Sequence, residues 1–151
     1  MQIAKLYNAC QRSWGADTSY NEDYAQMVRS TSAERSYGQC AVTSLVVHDH
    51  HPGQFFQAAV CWNGTCVVHY WIESRDFGQL DFTWAQFPAY AARTNIAPVA
   101  RARLLPAGNE WMQERYDLLS GRVARLMKSE IDDTGAFSFS STGTKESAIL
   151  S

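Results

Sequence analysis

The chain has 151 residues, 46% hydrophobic and 13% aromatic, with a formal net charge of -2 at pH 7, which is the size and make-up of one domain with its own core. That charge gives no global attraction to nucleic acid or an anionic membrane surface, no segment approaches the roughly 20 apolar residues of a membrane span, and Lys5, Asn8, Gln11 and Arg12 interrupt the N-terminus where a secretory signal is continuous. A soluble cytoplasmic protein is expected, and its cysteines, Cys10, Cys40, Cys61 and Cys66, lack the dense spacing of a disulfide framework and are read as reduced thiols.

Ile3, Leu6, Tyr7, Cys10 and Trp14 fall on one side of a 3.6-residue period and predict a first helix. From Ser13 to Ser36 the composition turns to Ser, Thr, Asp, Glu and Asn, which predicts a long surface loop, either one wall of a binding cleft or an irregular connection. Ala41, Val42, Leu45, Val46 and Val47 make the next segment almost wholly apolar. It reads as a central buried helix starting at Gln39 or Cys40; a buried strand is the alternative, because Val42, Val46 and Val47 are β-branched. Pro52-Gly53 supplies the stop.

Asn63-Gly64, a pair that readily takes positive φ at both positions, predicts a two-residue hairpin between strands at 58–62 and 65–72. Gln79 to Thr83 predicts a further short strand. Pro88 to Pro106, with three of the four prolines, reads as connecting structure across the sheet. Asn109 caps a last helix with Trp111, Leu118, Leu119, Val123 and Leu126 on its apolar face and Glu110 in its first turn, running to about Lys128. Residues 1–132 are thus read as a single domain and 133–151, rich in Ser, Thr and Gly, as a tail. The expected fold class is α+β, a central helix packed on an antiparallel sheet.

Cys40 stands at the start of the buried helix, where unpaired N–H groups and the positive dipole end favour a thiolate, and Gly38 permits close approach. The hairpin register sets His69 opposite Ala58. If the next connection centres on Arg75, His69 also faces Asp81 and Trp71 faces Gln79, with directly opposed side chains about 4.5 to 5.5 Å apart at Cβ. Nucleophile, base and orienting acid are then Cys40, His69 and Asp81. A one-residue slip would send Asp81 to the other face. The Cys40 N–H is one natural oxyanion donor, and Gln39, Trp14, Thr18 and Ser19 are candidates for the second.

Trp14-Gly15-Ala16-Asp17-Thr18-Ser19, Gly38-Gln39-Cys40-Ala41-Val42-Thr43, His69-Tyr70-Trp71, Asp81-Phe82-Thr83-Trp84-Ala85-Gln86-Phe87 and Arg115-Tyr116-Asp117-Leu118-Leu119 resemble the successive signatures of the YunG-like family of small bacterial and phage-associated proteins. The resemblance covers roughly residues 6 to 127 and implies a papain-like thiol domain with Cys40, His69 and Asp81 at the matching positions. Val68 stands where a serine is expected, Arg75-Asp76-Phe77-Gly78 where Pro-Asp-Gly is expected, and nothing matches beyond Asp133.

Other signals point away from function. His48, Asp49, His50 and His51 could ligate zinc, but four nearly consecutive residues do not converge on one tetrahedral ion, so a solvated turn is expected. Cys61 and Cys66 oppose each other; a disulfide is geometrically open, and a reduced pair is the reading adopted. Trp62, Trp71, Trp84 and Tyr70 lack the interleaved Lys or Arg of a nucleic-acid platform and read as core and cleft wall. No phosphate-cradling glycine loop occurs, and no cofactor is expected. The functional expectation is a thiol protease-like hydrolase or acyltransferase acting on an amide or thioester of a peptide or protein. Its rival is a non-catalytic protein-interaction module of phage or bacterial origin.

Overall fold

The computed structural model describes residues 2–20 and 35–139. Among the described residues, four helices, Gln2–Ser13 (α1), Cys40–His50 (α2), Arg101–Leu104 (α3) and Glu110–Phe139 (α4), accompany four strands, Gly53–Trp62 (β1), Thr65–Ser74 (β2), Gly78–Leu80 (β3) and Ala92–Val99 (β4). Short 3-10 turns occupy Ala16–Thr18 and Trp84–Gln86. The strands form one antiparallel sheet in the order β3-β2-β1-β4, so the fold class is α+β.

The apolar run after Gln39 is a helix, buried continuously from Cys40 to Val47. Having no polar face, it needs neighbours on every side. β2 and α4 supply them, and α1 packs on α4 in turn. Leu6, Cys10 and Trp14 meet Val42, Leu45, Val46, Leu119 and Val123 in one core, where each fully buried aliphatic side chain contributes about 1.5–3 kcal/mol.

Asn63 and Gly64 both take positive φ, 47° and 75°, and the two-residue turn pairs Trp62 with Thr65, Ala58 with His69 and Gly53 with Ser74. The hairpin is longer than its apolar residues suggested. Gly53 starts it because a Cβ there would sit 2.0 Å from the Glu73 carbonyl oxygen.

Residues 92–99, read from the sequence as a connection, are edge strand β4. Pro98 is tolerated at a sheet edge, and a bulge between Gln57 and Ala59 with Asn95 at φ 54° breaks the alternation by which the strand would be recognised. The third strand stops at Leu80, short of Thr83. Gly78 at φ 72° and a Phe77 N–H bond to Ser74 Oγ (2.8 Å) make a three-residue turn that pairs Ser74 with Gly78 and Ile72 with Leu80. The turn therefore centres on Asp76 rather than Arg75, Trp71 does not face Gln79, and Asp81 lies just outside the ladder. A displacement of two keeps the parity of the side chains, so Asp81 stays on the face of His69.

Cys61 and Cys66 are joined by a disulfide and are not reduced thiols: the register sets them opposite each other with Cα atoms 4.1 Å apart. Cysteine usage therefore no longer argues for a reducing compartment. Among the described residues no helix is long and apolar enough to cross a membrane.

Asn109 Oδ1 accepts the Met112 N–H (3.1 Å), and Glu110 lies in the first turn of α4. The helix continues past Lys128 to Phe139, because no proline follows to stop it. Residues 21–34 of the polar loop and 140–151 of the tail lie outside the described residues. Asn109→Ala should cost about 1 kcal/mol in urea denaturation, with an unchanged dependence on denaturant concentration.

Candidate functional site

Cys40 is the first residue of α2, and the earliest bond of its ladder runs from the Thr43 N–H to the Gln39 carbonyl (3.0 Å). The N–H groups of Cys40, Ala41 and Val42 precede that ladder and point toward the helix entrance. Gly38, at φ 74°, makes the entering turn. Its carbonyl accepts the Tyr20 N–H (2.7 Å) and its own N–H donates to Gln86 Oε1 (3.2 Å). Cys40 is 9% exposed and opens on a cleft of about 270 Å3. Tyr20, Gln86 and Phe87 line one part of it, Val67, Val68 and Tyr70 of β2 another.

His69 is fully buried. Its Nε2 lies 2.7 Å from Asp81 Oδ2, and Trp71, Trp84 and Phe87 wall the ring at centroid distances of 5.9, 5.7 and 4.9 Å. Burial disfavours the cationic ring, yet the bond to Asp81 and the adjacent Cys40 side chain outweigh it and raise the pKa to about 9. Nδ1 has no hydrogen-bond partner among the described residues, and the Cys40 side chain is the ring's other electrostatic neighbour beside Asp81. Burial, and then Cys40, also raise the Tyr70 pKa. By contrast Cys10 lies in the core, where burial pushes its thiol up to about 12.

The expected second oxyanion donors do not face the cleft. Trp14 Nε1 donates to Thr43 Oγ1 (2.8 Å), Thr18 Oγ1 to Gln39 Oε1 (2.8 Å), Gln39 Nε2 to the Gly15 carbonyl (3.0 Å) and Ser19 Oγ to the Ala16 carbonyl (3.0 Å). All four side chains are buried; Trp14, Thr18 and Gln39 form a knot that ties the end of α1 to the entrance of α2, and Ser19 bonds back within the 3-10 turn. Each is paired, Thr18 with Gln39 and the others with Thr43 or a backbone carbonyl, because an unpaired buried polar group costs about 1–3 kcal/mol. Trp71, expected on the cleft wall, is buried behind His69 instead. His48 stacks on Phe55 and His51 meets the edge of Phe77, and among the described residues no group of three metal-ligating side chains gathers.

The YunG protein family matches residues 2–128, a span that holds α1, the whole sheet, Cys40, His69 and Asp81. The chain belongs to the YunG family. No curated protein and no solved structure matches it.

Two site residues of this YunG protein escape sequence reasoning. Arg93 sits on β4, the strand hidden by Pro98 and the bulge, and its Nη2 lies 2.5 Å from Asp81 Oδ2. Gln86 falls in the motif that begins at Asp81, and its amide oxygen accepts the Gly38 N–H from a segment far off in sequence, which no local pattern announces.

His69 has a folded pKa near 9 against about 6.5 unfolded, so its contribution to stability is full below pH 6.5 and is lost as pH rises through 9. The thermal midpoint of the native protein should exceed that of His69→Gln by the widest margin near pH 6, and the margin should narrow steadily up to pH 9.5.

Proposed function

We propose that this chain is a cysteine-nucleophile hydrolase or acyltransferase of papain-like arrangement, with Cys40 as nucleophile, His69 as base and acid, and Asp81 as orienter. The observation that carries the reading is the buried imidazole between Asp81, 2.7 Å from Nε2, and the Cys40 side chain at a helix start open to the cleft. Cys40 Sγ adds to the carbonyl carbon of an amide or thioester. His69 then gives its proton to the departing amine or thiol as the C–N or C–S bond breaks, leaving a thioester on Cys40. Water, or an acceptor nucleophile, loses a proton to His69 and attacks that thioester, which releases the acyl product and restores the thiol. Asp81 keeps Nε2–H in place throughout.

The cleft favours an extended polypeptide as substrate. The two-residue turn makes Trp62 and Thr65 a hydrogen-bonded pair, so alternation turns the N–H and C=O groups of Cys66, Val68 and Tyr70 away from β1. On that side β3 reaches only as far as Ile72. Val67 and Val68 point to opposite faces yet line the same cleft, which therefore runs along the open edge of β2 beside Cys40, with Val68 57% exposed. A peptide backbone is the chemistry that satisfies a strand edge.

One observation favours a non-catalytic interaction module: the side chains expected to complete an oxyanion hole are committed elsewhere, Trp14, Thr18 and Gln39 to the buried knot and Ser19 to the 3-10 turn. Thiol reactivity separates the two readings. In the native protein at pH 6, iodoacetamide should modify Cys40 and spare the core thiol Cys10, and His69→Ala should slow Cys40 modification by about tenfold or more, with a smaller effect from Asp81→Asn. Peptide mapping that finds Cys40 as inert as Cys10, or a rate indifferent to His69→Ala, would transfer the assignment to the interaction module.

A further inference from the structure

We propose that Arg93 is a positioning residue: its guanidinium, clamped between two indoles, binds the same Asp81 oxygen that His69 uses, and so limits how firmly Asp81 holds a proton on the imidazole. Its catalytic meaning rests on the Cys40–His69–Asp81 reading above, whereas its geometry does not. Arg93 Nη2 and His69 Nε2 stand 2.5 and 2.7 Å from Asp81 Oδ2. Oδ1 receives only long contacts from Thr83, 3.3 Å from its N–H and 3.5 Å from its hydroxyl. Two cationic groups thus divide one anionic oxygen, while Thr83 keeps the carboxylate oriented if either partner is lost.

The clamp gives this sharing its permanence. The Arg93 guanidinium carbon lies 4.1 Å from the ring centre of Trp84 and 4.7 Å from that of Trp71, and both indoles also wall His69. A planar delocalised cation stacks well on such faces. β4 aims it there: Arg93 pairs with Val60, which pairs with Val67, and alternation carries that face of β2 on to His69. Among the described residues, the charged and titratable groups around the ring are Asp81 after β3, Arg93 on β4 and Cys40 on α2, with Tyr70 next to Cys40 and Tyr20 and Arg103 acting on Tyr70; Trp71, Trp84 and Phe87 complete the walls without charge.

A histidine that serves as acid and then as base has to release its proton as well as take it. A buried imidazole with sole use of a carboxylate would be pinned as the cation, and His69 already stands near 9. Arg93 opposes that outcome through its own charge and through its share of Asp81.

The test is an NMR titration of the His69 ring in the full chain, for the native protein and for Arg93→Gln, Arg93→Met and Arg93→Lys. Loss of the charge in the Gln variant should raise the His69 pKa by at least about half a unit, and Lys, which keeps the charge, should leave it within about 0.3 units of the native value. Met retains apolar contact with both indoles and carries the comparison if the Gln variant does not fold. An unchanged or lowered pKa in the charge-free variants, or a Lys variant displaced as far as Gln, overturns the proposal. Because the readout does not depend on turnover, the two ideas fail separately. An inert Cys40 with the expected upward shift sinks only the enzyme reading, and a reactive Cys40 without the shift sinks only the role of Arg93.

Discussion

A helix without a polar face cannot be left against water, and the segment from Cys40 to Val47 is buried along its whole length. β2 and α4 close directly around it, and α1 completes the core through Leu6 and Cys10. The only part of α2 that reaches the surface region of the cleft is its first residue. The enclosure that makes the core also leaves one thiol at a helix entrance, beside the first N–H groups of α2.

Entering such a helix is costly for the polar backbone before it. The knot of Trp14, Gly15, Thr18, Gln39 and Thr43 answers that cost, since Gln39 is bonded to Thr18 and the Gly15 carbonyl, and Thr43 to Trp14, across the two segments. Arg122, held by Asp17 (2.5 Å) and the Ser13 carbonyl (3.1 Å), and Arg115, donating to the Ser19 carbonyl (3.0 Å), extend the same bracing to α4. Residues that look like reactive-site amides and hydroxyls in the linear sequence thereby serve to hold the loop from which Cys40 emerges.

On the opposite side of the cleft, the electrostatics are a contest between burial and a single carboxylate. Burial works against a charged His69, and Asp81 together with Cys40 wins. The same carboxylate also neutralises Arg93, so a partly dry site contains two cations and an acid shared between them. Charges so placed are held by geometry, and the indoles of Trp71 and Trp84 supply that geometry without adding charge of their own.

Local chemistry was legible in the amino-acid sequence. Asn63-Gly64 admits one tight turn, and that turn by itself sets Ala58 against His69; the apolar run after Gln39 demands burial; Asn109 caps α4. A turn centred on Asp76 instead of Arg75 still leaves Asp81 on the face of His69, because a displacement of two preserves the alternation of a strand. What only the tertiary structure decided depends on which groups far apart in sequence come together. Gln39 turned to Gly15 and Thr18 because a buried amide must be paired, Trp71 went behind His69, and Cys61 and Cys66 joined across the register. Arg93 came to Asp81 on a strand whose proline and bulge erased its periodicity, so no pattern along the chain could announce the contact.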